Sequence, residues 1–429
     1  PLLVSDAWAI PAFSGKLDLD CGQCHIVAPA LNDFGEAFRD HGYRIADVEA
    51  RLPDAVRERA TQETAPDRSP AYWPISLRTA LGYRLRSRDS LDTDLGEAKL
   101  KTRGFGIDRL DVASGGRLAD QLAFYLFYRP TLTNTFSQDA EQAGTLESAW
   151  LRFNRQIGGT AFSLKMGAFE MDVPVSSRRR VTLSDYPIYG YFTPDGMATD
   201  DPDAILNWSR PQLGLEVMGR RPSGLRYSLA IINGTNVQAD QDTALDYYGR
   251  AAYPLGDHRF GGFVYWGSGP TRFQTTGGGV IPIPGSGTGK AAFYRLGFDG
   301  DVRIPPLRLL AVGLYGSDGR KFFGGINSKD ATFAGGFLEA QYDVLKDWST
   351  LLVFRYDMIR SLGQGDAQAP KKRGDVDGAT VAARYRFLET DRLSVIFHGE
   401  YSHVETKLMS VDGNDQIENR VTAAFDVMM

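Results

Sequence analysis

The stretch Ile75-Ser76-Leu77-Arg78-Thr79-Ala80-Leu81-Gly82-Tyr83-Arg84-Leu85-Arg86 decides the fold. Ile75, Leu77, Thr79, Leu81, Tyr83 and Leu85 are apolar or β-prone, and small or cationic groups stand between them. Successive side chains of a strand point to opposite faces, so this stretch reads as a strand with one apolar face and one face of small and cationic groups. The pattern recurs. Trp348, Thr350, Leu352, Phe354, Tyr356 and Met358 occupy alternate positions. Ala292, Tyr294, Leu296 and Phe298 stand opposite Phe293, Arg295 and Asp299. Ala379, Val381, Ala383, Tyr385 and Phe387 alternate with Thr380, Ala382, Arg384 and Arg386. About sixteen such segments are legible, centred near Leu81, Ile107, Tyr125, Leu151, Leu164, Leu215, Leu229, Arg250, Val264, Leu296, Val312, Leu338, Val353, Ala383, Ile396 and Ala424.

The connections alternate in length. Short ones are Gly219–Gly224, Leu255–His258, Ile304–Pro306, Leu345–Asp347 and Leu388–Asp391. Long ones lie near Arg88–Thr102, Thr131–Gly144, Asp172–Leu206, Gly234–Ala244, Gly267–Gly289, Ser317–Lys329, Ser361–Asp377 and Glu405–Gln416. An antiparallel meander puts alternate connections at opposite ends, and short turns at one end with long loops at the other is the layout of outer-membrane barrels. Soluble sandwiches do not need that alternation, and a propeller would show blade repeats of about 40–50 residues, which are absent. No run of about 18 apolar residues exists, so no membrane-spanning helix is expected. The expected fold is all-β: an outer-membrane antiparallel β-barrel of about 16 strands over residues 74–429, both ends on the periplasmic side. One feature departs from the pattern. Such chains usually finish on an aromatic residue, whereas this one ends Phe425-Asp426-Val427-Met428-Met429.

Of 429 residues, 42% are apolar, 24% are charged and two are cysteine, which excludes disordered, collagenous and disulfide-stapled classes. A net charge of −5 gives no reason to expect a nucleic-acid partner.

Both cysteines fall in Cys21-Gly22-Gln23-Cys24-His25, the C-x-x-C-H spacing of c-type haem attachment. Two thiols at that spacing can each add to one haem vinyl group, and the adjacent histidine stands beneath the iron as proximal ligand. Chance produces this arrangement from the composition roughly once in 18,000 placements. A zinc site needs further ligands nearby, where only His41 is available, and a thioredoxin-like pair needs a βαβ context that is absent. One covalently bound haem c is therefore expected. Its chemistry is chiefly electron transfer. Haem is attached in this way outside the bacterial cytoplasm, and Ala7-Trp8-Ala9 fits the cleavage site of a secretory signal, with residues 1–9 its remnant and Ile10 the first mature residue.

Methionines begin only at Met166, so no local methionine ligand exists. Asn32 to Tyr43 reads as a helix capped by Asn32, with Phe34 and Phe38 on one face. His41 shares that face and is the candidate distal ligand. The alternatives are a five-coordinate or water-bound iron, a ligand from the barrel lumen, and a plain helix-end histidine near the C-terminal dipole.

A haem segment followed by a roughly sixteen-stranded barrel resembles the fused monohaem cytochrome–porins of the outer membrane, among them the iron-oxidising outer-membrane cytochromes. The resemblance is carried by Ile10-Pro11-Ala12-Phe13, the Cys21–His25 motif, Pro29-Ala30-Leu31-Asn32-Asp33-Phe34-Gly35, and Phe38, Gly42 and Tyr43. Beyond these it is one of architecture and length. It implies that residues 10–73 form a cytochrome segment plugging or lining the barrel. It also implies an Fe(II)-oxidising oxidoreductase that takes electrons from extracellular Fe(II) and passes them to a periplasmic cytochrome c or another soluble carrier. The alternatives are a conduit for another donor or for outward transfer, and a diffusion porin with a structural or sensory haem. In the conduit reading, lumen arginines Arg78, Arg84, Arg295, Arg355, Arg384 and Arg386 are candidates to bind the haem propionates or the acidic groups Asp18, Asp20, Asp33, Glu36 and Asp40 of the haem segment; a general polarising of the lumen is the rival role. Asp195, Asp200, Asp201 and Asp203 are candidate Fe(II)-docking carboxylates in an outer loop, or simply a solvated loop.

Overall fold

The computed structural model describes residues 21–27, 29–43, 75–93, 96–119, 121–130, 145–157, 160–176, 179–190, 211–234, 245–270, 273–276, 279–282, 290–320, 329–345, 349–363, 375–390, 393–407 and 416–429. Sixteen strands close into one barrel. They are β1 (Ile75–Thr93), β2 (Gly96–Ala119), β3 (Leu122–Arg129), β4 (Thr145–Ile157), β5 (Thr160–Phe169), β6 (Gln212–Arg220), β7 (Arg226–Ile232) and β8 (Asp246–Leu255). The second half is β9 (His258–Pro270), β10 (Lys290–Ile304), β11 (Leu307–Asp318), β12 (Ala331–Asp343), β13 (Thr350–Ser361), β14 (Val376–Glu389), β15 (Ser394–Thr406) and β16 (Gln416–Met428). Each pairs antiparallel with the next, and β16 returns to β1 through the register Ile417↔Asp89 to Met428↔Arg78. Closure leaves no unpaired edge, which a chain in lipid requires. All sixteen sequence-read centres fall inside these strands.

The two faces follow the alternation. Along β13, Leu351, Val353, Arg355, Asp357 and Ile359 are buried, while Leu352, Phe354, Tyr356 and Met358 point outward. The contrast is sharp: Val353 is 1% exposed and Phe354 50%. Outward residues around the barrel are large and apolar, including Leu81, Val264, Leu296, Phe298, Leu338 and Val381. Such a belt is stable against hydrocarbon, not water. Aromatic rings mark both of its edges: Tyr247 stacks on Trp266 at 5.8 Å toward the long connections, and Phe397 meets Phe425 at 5.7 Å toward the short turns. Paired rings of this kind form the interfacial girdles of membrane barrels. β1 begins and β16 ends at the short-turn end.

Two long connections differ from their sequence reading. Arg88–Thr102 is a projecting hairpin, its ladder continuing to Thr93↔Gly96. Across it Lys99 pairs with Asp89 at 2.8 Å. Within Asp172–Leu206, read as an outer loop, the described residues 172–176 and 179–190 turn into the lumen. The reason is apolar content. Met171, Val173, Tyr186, Ile188 and Tyr189 pack with the inward residues Ile232, Tyr248, Tyr265, Phe293, Phe333, Phe337 and Ile359 in one buried cluster. Tyr186 stacks on Phe337 at 4.4 Å. Polar anchors fix the segment: Glu400 accepts the Leu183 and Ser184 N–H groups, each at 2.7 Å, and Arg355 donates to the Asp185 carbonyl at 2.8 Å. The lumen thus holds an apolar core toward the long connections and a charged region toward the short turns.

Candidate functional site

Residues around the C-x-x-C-H motif clamp one another. Cys21–Cys24 forms a single helical turn, and His25–Val27 pairs with Ala30–Leu31 in a short antiparallel clip. α1 (Asp33–Asp40) follows, as the periodicity predicts. Asn32 performs three tasks. Its Oδ1 accepts the Gly35 N–H at 2.9 Å and caps α1, its Nδ2 donates to the Gln23 carbonyl at 2.9 Å, and its backbone N–H donates to the Cys24 carbonyl at 2.9 Å. Gly35 is where α1 crosses the motif; a Cβ there would collide with the Cys24 carbonyl oxygen. The helix ends in a Schellman turn. The Gly42 N–H donates to Arg39 and the Tyr43 N–H to Phe38, with Gly42 at φ 72°.

α1 is held in the lumen by wall arginines. Arg220 and Arg226 reach the Asp40 carboxylate at 3.0 and 3.1 Å, Arg259 pairs with Glu36, and Arg303 pairs with Asp33 at 3.1 Å. Burial alone would raise the Glu36 and Asp40 carboxyls. Arg259, Arg226 and Arg39 outweigh it at Glu36, lowering it to about 2. Arg226, Arg39 and Arg220 hold Asp40 well below the usual carboxylate range.

Between this segment and the wall lies a cavity of ≈350 Å³, the scale of a pocket for a cofactor-sized ligand. Cys24, His25, Phe38 and Tyr43 line it from the N-terminal segment, and Tyr125, Phe127, Trp150, Met171 and Met218 from the barrel side. Burial lowers the His25 imidazole to about 4, against the opposing backbone of Pro29 and Ala30, so it is neutral near pH 7. Its Nδ1 is buried and meets no hydrogen-bond partner. A cysteine thiol, a neutral imidazole and aromatic walls on one cavity fit a thioether-bound haem with a histidine ligand.

The other sequence candidates are placed as follows. His41 ends α1 with Nδ1 2.8 Å from the Ala37 carbonyl, beside a separate small pocket shared with Asn154 and Ser163, and it does not line the cavity of His25. Arg78 does line that cavity and is bidentate to Asp426 at 2.9 and 2.6 Å. Arg84 donates to Thr422 at 3.3 Å. Arg295 pairs with Asp318 at 2.6 Å, Arg355 with Asp357 at 2.8 Å, Arg384 with Asp426 at 3.5 Å and Arg386 with Glu389 at 2.8 Å. Asp33, Glu36 and Asp40 are thus held by Arg303, Arg259, Arg220 and Arg226, none of which stood among the sequence candidates. Alternation reveals which arginines face inward; it does not reveal their height in the barrel or the sector they face. Asp18, Asp20, Asp195, Asp200, Asp201 and Asp203 lie outside the described residues, as do residues 1–9 and most of the remainder of 10–73.

The barrel belongs to a fold class with solved members. The chain is similar to the anion-selective porin from Comamonas acidovorans, with 11% identity over 83% of this chain and 100% of that one, at a TM-score of 0.53. It is also similar to OmpT of Vibrio cholerae (13% identity, 82% and 99% covered, TM-score 0.46) and to OprB of Pseudomonas putida (12%, 82% and 94%, 0.46). No protein-family model and no curated protein matches the chain. At 11% identity the first likeness is one of fold alone: a sixteen-stranded barrel of the outer-membrane porin type. The resemblance to cytochrome–porins rests on the motif and the residues around it.

Proposed function

We propose that the chain is a haem-carrying barrel of the outer membrane that conducts electrons between the two faces of that membrane. The observation that carries the reading is the joint position of Cys24 and His25 on one aromatic-lined cavity inside the barrel. Cys21 and Cys24 would hold the haem by thioethers and His25 would ligate its iron. When bound, the group supplies a one-electron iron couple. The aromatic walls, with Phe38, would exclude water from a haem bound there; α1 and its arginines fix the segment in place. The lumen core of Tyr186, Phe293, Phe333 and Phe337 fills part of the barrel interior. Electrons need no aqueous path, and the apolar band they must cross is only about 25 Å tall.

In the fuller reading Fe(II) outside is the donor, a periplasmic cytochrome or other soluble carrier is the acceptor, and the short-turn end, with the start of β1 and the end of β16, faces the periplasm. The test is stopped-flow mixing of the purified protein in liposomes with external Fe(II). Haem reduction is expected, and its absence removes Fe(II) as donor. Reduction only from the short-turn face would support outward transfer instead.

A second reading is a diffusion porin whose haem is structural or sensory. The likeness to a porin favours it, since the comparisons reach as far as a porin barrel and no further. Planar-bilayer recording separates the two: steady ion conductance with a haem inert to donors supports the porin, and a closed barrel with a reducible haem supports the conduit.

A further inference from the structure

The cavity holds a buried cation without a carboxylate. Arg152, on β4, is 2% exposed and lines the same cavity as His25. Its guanidinium lies 5.2 Å from the Tyr43 ring centroid and 5.1 Å from that of Trp150. Nη2 donates to the Arg39 carbonyl at 2.5 Å, and Nη1 faces the Met218 sulfur at 3.9 Å. Nε is buried with no partner. The nearby carboxylates are committed elsewhere: Asp40 to Arg220 and Arg226, and Glu216 to Lys165 and Ser228.

The other cations on the cavity differ. Arg78 has Asp426, Arg226 has Asp40 and Asp172, Arg39 has Asp40, and Lys165 has Glu216. Arg179 also lines the cavity but is half-buried. Arg152 alone combines near-complete burial with the absence of an ion pair among the described residues. A buried charge is costly unless it is paired, and a guanidinium matches a carboxylate in a planar fork.

We propose that Arg152 is the anchor for a carboxylate of the molecule that fills this cavity; resting on the haem reading, that carboxylate is a haem propionate. Arg152 is a positioning residue with an electrostatic consequence. A positive charge beside the porphyrin carboxylate favours the reduced iron, because it offsets negative charge that otherwise stabilises the oxidised state. Removing it lowers the midpoint potential.

The experiment is redox titration of the holoprotein, read by its visible spectrum, for wild type and for Arg152→Gln, Arg152→Met and Arg152→Lys. Haem content is measured on the same samples. The neutral variants are expected to bind haem covalently but to be harder to reduce by roughly tenfold, about 59 mV for a one-electron couple. Arg152→Met fills the gap between Trp150 and Tyr43 if glutamine does not. Arg152→Lys is expected to fall between the neutral variants and wild type, and it remains informative if neither neutral variant assembles. A haem-loaded neutral variant, or failing these the lysine variant, titrating at the wild-type potential overturns the role of Arg152 while leaving the haem reading intact. Wild-type protein without covalent haem overturns both.

Discussion

Asp40→Asn is the perturbation that most sharply separates a docked N-terminal segment from one merely lodged in the barrel. Asp40 is 1% exposed, and its carboxylate meets Arg220 at 3.0 Å, Arg226 at 3.1 Å and Arg39 at 3.1 Å. Removing one partner of a buried ion network costs about 3–5 kcal/mol, because the remaining charge is left uncompensated. The low end applies here. Arg226 retains Asp172 at 2.6 Å, and Arg220 retains Glu36 at 3.9 Å. About 3 kcal/mol at 1.36 kcal/mol per tenfold raises the undocked population roughly a hundredfold. The barrel ladder itself is untouched, so the effect is confined to the segment. Limited proteolysis in detergent is the assay, because cleavage tracks the open population when reclosing is fast. Cleavage within residues 21–43 should accelerate by about two orders of magnitude while the barrel stays intact. Asp33→Asn is the control. Asp33 is 63% exposed and its partner Arg303 retains the buried Asp301 at 2.9 Å; such surface pairs are worth about 0–1 kcal/mol, so the rate should change less than about fivefold. Equal cleavage rates in Asp40→Asn and wild type would refute the docking geometry.

Gly35→Ala drives a Cβ into the Cys24 carbonyl oxygen and should displace the motif from α1, lowering covalent haem per chain as measured by absorbance of the denatured protein. Glu36 and Asp40 are depressed below their ordinary values, so the docking they contribute is complete above about pH 4.5 and is lost as the pH falls toward about 2. An acid-active protease should therefore find the segment protected at pH 5 and exposed near the acid limit; exposure beginning at pH 6 would show that other groups hold it. Leu296→Arg places a charge on the lipid-facing side of β10 and should destabilise the barrel in vesicles by about 2–4 kcal/mol if Leu296 lies near the bilayer midplane, read as lower folding yield by gel mobility. Unchanged folding would place Leu296 outside the hydrocarbon.

How much of this was legible depends on what local pattern encodes. Period-two alternation fixes the faces of a strand, so Ile75–Arg86 and Thr350–Met358 announced both inward and outward residues correctly. Alternating connection lengths gave the meander. The pattern does not encode which wall residue sits opposite a separate segment threaded through the lumen. Arg152, Arg220, Arg226 and Arg259 look in sequence like Arg78, Arg84 and Arg295; only closure of the barrel brings them to the cavity and to α1. The inward course of residues 171–176 and 179–190 has a local signal, since Met171, Val173, Tyr186, Ile188 and Tyr189 make the stretch too apolar for a solvated loop. The motif was legible, and the roles of Asn32 and Gly35 beside it became physical only when their contacts with Cys24 and Gln23 were in view.

Intact-mass spectrometry of the denatured chain, produced in a host able to attach haem to exported cysteine pairs, weighs the account as a whole. The expected result is one haem per chain that survives unfolding and disappears in a Cys21→Ala, Cys24→Ala double variant. A wild-type chain at its bare polypeptide mass would contradict it.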